Sequence, residues 1–231
     1  MINPMNELVS LFYPNLCLLC GHPLVQNEQF ICLHCHCNLP KTNYHFNKGN
    51  QVHDLFAGFP NVNEATGFLF FEKEGITQKL IHSLKYYGHK TLATFLGRIA
   101  ALELKKDGLF ASIDTIVPIP LHPKKEKRRG YNQSEWIAKG IASVYGCNID
   151  TQLLKRTANT QSQTRKSVYD RHVNVEKIFT LTNPEPISGK HILLIDDVIT
   201  TGATVSSCIE ALMPVPDLMI SIFSLSVTRE Y

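Results

Sequence analysis

Apolar positions gather in clusters along the chain, and their spacing changes from one cluster to the next. Thr66–Phe71 is a short apolar run of strand type, closed by the turn Glu72-Lys73-Glu74-Gly75. Ile76, Leu80, Ile81 and Leu84 then recur at helical spacing, and Leu92, Phe95, Leu96 and Ile99 form a second helical stripe. Asp114–Pro120 is a strand that ends in prolines, and Ser134–Tyr145 reads as a helix capped by Ser134. His191–Ile195 is a strongly apolar strand, Gly202–Leu212 a helix, and Leu218–Val227 a last strand. Strands alternating with helices predict an α/β fold built on a parallel sheet. Residues 41–63 break the pattern: they are polar and rich in Asn and Gly, which reads as linker or irregular structure. The predicted organisation is an N-terminal segment with a small cysteine-rich module over 1–40, a linker over 41–63, and the α/β domain over 64–231.

Composition narrows the class. A chain of 231 residues, 44% apolar and 19% charged, is long enough to bury a core, and collagen-like, coiled-coil and wholly disordered architectures are excluded. The net charge, 23 − 20 = +3, says less than where the charges sit. No stretch reaches the roughly 18 apolar residues of a membrane span, so no integral membrane segment is expected. The amino end, MINPMNELVSLFYPNLCLLC, has no basic residues ahead of its apolar ones, so a cytoplasmic location is expected rather than secretion.

Five of the seven cysteines fall between Cys17 and Cys37. Cys17-Leu-Leu-Cys20 and Cys32-Leu-His-Cys35 form two C-x-x-C pairs, each a sharp turn that aims two thiolates at one point; two such pairs complete a tetrahedral zinc site. Gly21 and Asn27-Glu28 suit the turns of such a ribbon. Buried free thiols or a redox pair are the alternative, and His34, His36 and Cys37 crowd the second pair as substitute ligands. Four thiolates leave no open position, so this zinc is expected to be structural. Cys147 and Cys208 read as ordinary core residues.

The most informative stretch is His191–Thr204: a buried strand ending in two carboxylates, a small-residue turn, and a helix start. In open α/β sheets ligands bind outside the carboxyl ends of the strands. Thr200, Thr201, Gly202, Ala203 and Thr204 offer hydroxyls and backbone N–H groups at a helix N-terminus, a phosphate cradle. Asp196 and Asp197 would repel phosphate and suit sugar hydroxyls or hydrated Mg²⁺ instead. Acids for hydroxyls beside amides for phosphate describe a site for a phosphorylated sugar. A Walker P-loop and a G-x-G-x-x-G are both missing from the sequence.

Ile192–Thr204 resembles the 5-phosphoribosyl 1-pyrophosphate (PRPP) motif of type I phosphoribosyltransferases. The resemblance implies that Asp196 and Asp197 contact the ribose hydroxyls while Thr200–Thr204 wrap the 5′-phosphate, with Mg²⁺ accompanying PRPP. Ile81–Gly88, Val117–Leu121 with Lys124–Gln133, and Thr160–Arg171 resemble the ComF family, as does the cysteine ribbon. ComF proteins (ComFC/GntX-like) pair an N-terminal zinc ribbon with a type I phosphoribosyltransferase-like domain. Membership implies a role in natural transformation, the uptake of external DNA, beside a DNA-translocating ATPase at the inner face of the cytoplasmic membrane.

Within that resemblance the basic segments take two readings. Lys124, Lys125, Lys127, Arg128 and Arg129 follow a strand end, where cations either hold the pyrophosphate or neutralise the backbone of single-stranded DNA, with Tyr131 or Trp136 stacking on a base; a plain solvated charge run is the third. Gln161–Arg171, with Arg165 and Lys166, corresponds to the flexible hood of type I phosphoribosyltransferases or is a plain surface loop. Lys85 either reaches a phosphate or lies along the surface. The expected function is a competence protein that binds PRPP and single-stranded DNA. The alternatives are an active phosphoribosyltransferase acting on an unidentified base without a DNA role, and a docking protein for the translocase.

Overall fold

The apolar run Ile192–Ile195 becomes the centre of the sheet. The structure, a computed structural model, describes residues 14–47, 49–86, 88–157, 178–184 and 187–229. Its strands are β1 (Val62–Phe71), β2 (Thr115–Pro118), β3 (Asn148–Ile149), β4 (Leu154–Arg156), β5 (Phe179–Leu181), β6 (His191–Ile199) and β7 (Met219–Thr228). Its α-helices are α1 (Leu33–Cys37), α2 (Gln51–Asp54), α3 (Ile76–Tyr86), α4 (Lys90–Lys106), α5 (Pro123–Arg129), α6 (Gln133–Tyr145) and α7 (Ala203–Leu212). Five strands form one sheet in the order β1-β7-β6-β2-β3, every pair parallel. β4 and β5 make a separate antiparallel pair.

β6 shows why its sequence lacks alternation. Leu193 and Ile195 enter one apolar cluster with Leu84, Leu96 and Ile137 of α3, α4 and α6, whereas Ile192 and Leu194 enter the other with Val205 and Ile209 of α7. A strand covered on both faces is apolar throughout. α4 and α6 approach backbone to backbone, because Gly97 and Gly140 carry no Cβ where each would meet the other helix's main chain. The cysteine ribbon joins the first cluster through Cys17, Ile31, Cys35 and Leu39, and Phe30 packs on Phe95 with ring centroids 5.5 Å apart.

Three elements differ from the sequence reading. β6 continues through Asp196 and Asp197 to Ile199, paired with β7 as far as Ile199↔Val227. The basic run, for which the sequence pattern shows no helix, is a helix, α5. His122 Nδ1 accepts from the Lys124 N–H at 3.2 Å, Pro123 opens the first turn, and Gly130 closes it at φ 78°. At α6 the cap is Asn132, not Ser134: its side-chain oxygen accepts from the Ser134 N–H at 3.1 Å.

Residues 41–63 carry a 3₁₀ turn (Tyr44–Phe46) and α2, and they bury Val52 and Phe56. They cover the outer edge of β1. The Thr42 N–H donates to Phe68 O (3.0 Å), the Phe70 N–H to Pro40 O (2.8 Å) and Asn50 Nδ2 to Ala65 O (2.9 Å). An edge strand leaves a row of main-chain groups that need partners, and this polar, Asn-rich stretch, with Pro40 just before it, supplies them.

Candidate functional site

Parallel strands bring their carboxyl ends to one rim, and the site is assembled there. β2 pairs beside β6 with Pro118↔Ile195, so the chain leaving β2 emerges next to Asp196 and Asp197 and leads into α5. On the far side of β6, Ser226 Oγ of β7 donates to Asp197 O at 3.3 Å.

The acids sit close together and partly out of water. The Asp197 N–H donates to Asp196 Oδ1 at 2.8 Å, and Lys85 Nζ lies 3.0 Å from Asp197 Oδ2. Burial, then the charge of Asp197, push the Asp196 carboxyl up to about 7, against the pull of the Asp197 N–H, Lys85 and Arg156. Two adjacent carboxylates held this way favour whatever neutralises them: a hydroxyl-bearing ligand with a divalent cation.

After the acids, Thr200 and Thr201 lead to Gly202 at φ 74°. A Cβ there would sit 3.2 Å from Cε1 and Cζ of Phe56, so glycine is required by both conformation and space. The Ser206 N–H makes the first bond of α7, to Gly202 O at 2.9 Å. The N–H groups of Ala203, Thr204 and Val205 precede it and belong to the unsatisfied first turn. They border a small open cavity of about 40 Å³ shared with Asp196, Thr200 and Thr201. Fixed donors and three hydroxyls in this space suit a phosphate group.

Cations gather near the acids from three elements. Lys85 is set by its own helix end: Leu84 O, a carbonyl of the last turn of α3, accepts from Tyr131 Oη and from Gln133 Nε2 (3.3 Å). Arg129 Nη1 donates to Gln133 Oε1 at 2.9 Å. Burial and then the charges of Arg156, Arg129, Arg128 and Lys85 lower the Lys125 ammonium below its ordinary value, which marks a concentration of positive charge. Arg156, on β4, packs on Phe179 with its guanidinium 5.2 Å from the ring centroid, and its charge reaches Asp196. Sequence reasoning missed Arg156: between Lys155 and Thr157 no spacing sets it apart, and only the β4–β5 pair brings it to the rim.

The other predicted residues divide. Lys124, Lys127 and Arg128 are exposed, whereas Lys125 and Arg129 are partly buried. Tyr131 is buried at 4% exposure with its hydroxyl on Leu84 O, so it has no face for a base; this corrects its assignment to nucleic-acid stacking. Trp136 is half-buried, with Lys139 Nζ 4.0 Å from its ring centroid. Arg165 and Lys166 lie outside the described residues.

At the ribbon, the Sγ atoms of Cys17, Cys20, Cys32 and Cys35 all lie within 4.8 Å of one another. Cys20 and Cys32 are 3.7 Å apart, close to the ~3.8 Å edge of a tetrahedron with 2.3 Å Zn–S bonds. Burial opposes the Cys17 thiolate, but the N–H groups of Cys20, Cys32 and Leu19 outweigh it and bring the thiol down to about 6. Burial and the neighbouring sulfurs raise Cys35, a conflict that a bound cation resolves. The four cysteines are therefore fitted to zinc, and His34, His36 and Cys37 stand outside the cluster.

Strand, acid pair, small-residue loop and helix, with a Cys₄ ribbon packed on the same core, define a parallel α/β protein with an acid-and-donor site at the sheet's carboxyl rim. The DNA utilization protein YhgH of Escherichia coli K12 is 30% identical over 218 residues, 87% of this chain and 91% of its own. Competence protein F of Haemophilus influenzae is 27% identical over 57% of each chain, and competence protein ComFC of Bacillus subtilis 35% identical over 38% of this chain and 34% of its own. The chain belongs to the ComF family of these relatives. No protein-family model matches it. Among solved structures, a Leishmania donovani UMP synthase aligns over 64% of this chain and 24% of its own, with 15% identity and a TM-score of 0.35, too loose a likeness to carry weight. Among the described residues no helix is long and apolar enough to cross a membrane.

Proposed function

We propose that this protein binds PRPP with Mg²⁺ at the Asp196–Thr204 site and single-stranded DNA along α5, in a cytoplasmic role in DNA uptake or utilization. The observation that carries the reading is the charge gathered at one rim: two carboxylates, a donor loop that shares a cavity with Asp196, and cations, with Lys85 on Asp197, Arg156 acting on Asp196, and Lys125 and Arg129 close to both. A ribose bearing phosphate at one end and pyrophosphate at the other matches that set group by group. The carboxylates take the ribose hydroxyls and Mg²⁺. The N–H groups of Ala203–Val205 and the threonine hydroxyls take the 5′-phosphate. Once hydroxyls and cation satisfy Asp197, Lys85 is released to join the other cations on the pyrophosphate. Mg²⁺ would neutralise charge on both carboxylate and pyrophosphate.

The exposed cations Lys124, Lys127 and Arg128 remain outside that arrangement and suit a nucleic-acid backbone. Relatives named for DNA utilization and competence supply the setting. In calorimetry, Asp196→Asn with Asp197→Asn loses PRPP–Mg²⁺ binding while circular dichroism stays unchanged; retained affinity would remove the pocket assignment. Lys127→Ala with Arg128→Ala weakens single-strand binding and flattens its log–log salt slope by about 1.4, at roughly 0.7 per phosphate contact. An unaltered slope would place DNA elsewhere.

A further inference from the structure

A second cavity lies on the covered edge of β1 and shares no lining residue with the acid-pair site. Its volume is about 270 Å³, and it opens between the 41–63 stretch and β1. Thr66 is 1% exposed, lines this cavity, and its hydroxyl has no hydrogen-bond partner among the described residues. An unbonded hydroxyl out of water is costly to the folded state, and a ligand bonding it there removes that cost. Glu64 brings a carboxylate to the same wall, and Asp107 lies just beyond, 3.3 Å from Nε2 of lining His45. Two carboxylates disfavour an anionic ligand and favour one that presents N–H donors. Ala65, Leu109 and the Tyr44 ring supply apolar wall among Asn47, Asn50, His53 and Asn63, which suits a flat ring edged with polar groups. The volume falls just below the roughly 300 Å³ at which drug-sized ligand pockets begin, which limits the ligand to a small molecule.

We infer that this cavity is a second ligand site for an amino-bearing nucleobase or its nucleoside without phosphate, the amino group donating to Glu64 and the ring bonding the Thr66 hydroxyl. The site is independent of PRPP binding. It lies two strands away from β6, and the chain of register Thr66↔Phe223↔Ile195 puts Glu64 and Asn63 toward the amino ends of the strands, away from the acids.

The test titrates the full chain with adenine, adenosine and AMP, using calorimetry and ligand-observed NMR. Adenine and adenosine bind, and AMP binds at least tenfold more weakly. Thr66→Val, which keeps the shape and removes the hydroxyl, and Glu64→Gln, which removes the charge, each weaken adenosine about tenfold; urea unfolding checks that both variants fold. The Asp196→Asn/Asp197→Asn double variant binds adenosine as the native chain does. The inference is overturned if neither adenine nor adenosine binds, if AMP binds best, or if the double Asp variant loses binding while Thr66→Val keeps it.

Discussion

Replacing Gly202 by Ala tests the loop geometry with one methyl group. At φ 74° an alanine pays about 1–2 kcal/mol for the left-handed conformation. The new Cβ meets Phe56 Cε1 and Cζ at 3.2 Å, and Phe56, 1% exposed, can yield only by straining its own packing. Such crowding adds about 1 kcal/mol or more. The alanine also restricts the unfolded chain, which returns about 0.4–1 kcal/mol. The net loss is about 1–3 kcal/mol, read by urea unfolding through the fluorescence of Trp136, the single tryptophan. In thermal unfolding each kcal/mol lowers Tm by about 2–4 °C for a chain of this size. Phe56→Leu removes the ring, so in that background Gly202→Ala costs only the conformational part, and the double-mutant cycle shows a coupling of about 1 kcal/mol. A neutral Gly202→Ala would refute the left-handed loop, and an unchanged cost in the Phe56→Leu background would refute the ring contact.

Two further outcomes follow from the charges and the thiols. Because the folded Asp196 carboxyl titrates at about 7, above its ordinary value, the folded chain holds a proton that the unfolded chain has lost between about pH 4 and 7. This group's contribution therefore makes the ligand-free protein less stable as pH rises through that window, while PRPP–Mg²⁺ binding, which needs the ionised acid, strengthens. Thermal unfolding at pH 5.5 and 8, with and without PRPP–Mg²⁺, reads both; Asp196→Asn removes this part of the pH dependence, and if the native and variant profiles coincide the burial argument fails. At the ribbon, elemental analysis finds about one zinc per chain and Cys17→Ser lowers it; because Cys17, Ile31 and Cys35 share a core with α4, chelation also destabilises the α/β domain. A metal-free native chain of full stability would contradict the zinc site.

Much of this was legible in the chain because burial writes plainly. β6 appears as an apolar run, and β7 as apolar residues broken by small buried serines, since both faces are covered; α3 and α4 appear at helical spacing since one face is. The acid pair and its loop were legible because their order is chemical, hydroxyls and amides beside carboxylates. Where polar residues serve the backbone, the pattern failed. The last residues of β6 look like a loop because a rim strand need not stay apolar, although pairing with β7 holds them extended. Helix α5 has no apolar face, and its punctuation by His122, Pro123 and Gly130 was the overlooked signal. The aromatic of Gly130-Tyr131-Asn132 looked available, yet a helix-end carbonyl at Leu84 draws Tyr131 inward. Arg156 and the edge-covering 41–63 stretch depend on contacts distant in the chain, which local spacing does not encode.

A crystal grown of the full chain and soaked with PRPP and Mg²⁺ bears most directly on the central claim. The account predicts density with ribose hydroxyls at Asp196 and Asp197, the 5′-phosphate against the N–H groups of Ala203–Val205, and the pyrophosphate toward Lys85 and Arg156. Sugar density elsewhere, with the two acids still closed on Lys85, would contradict it.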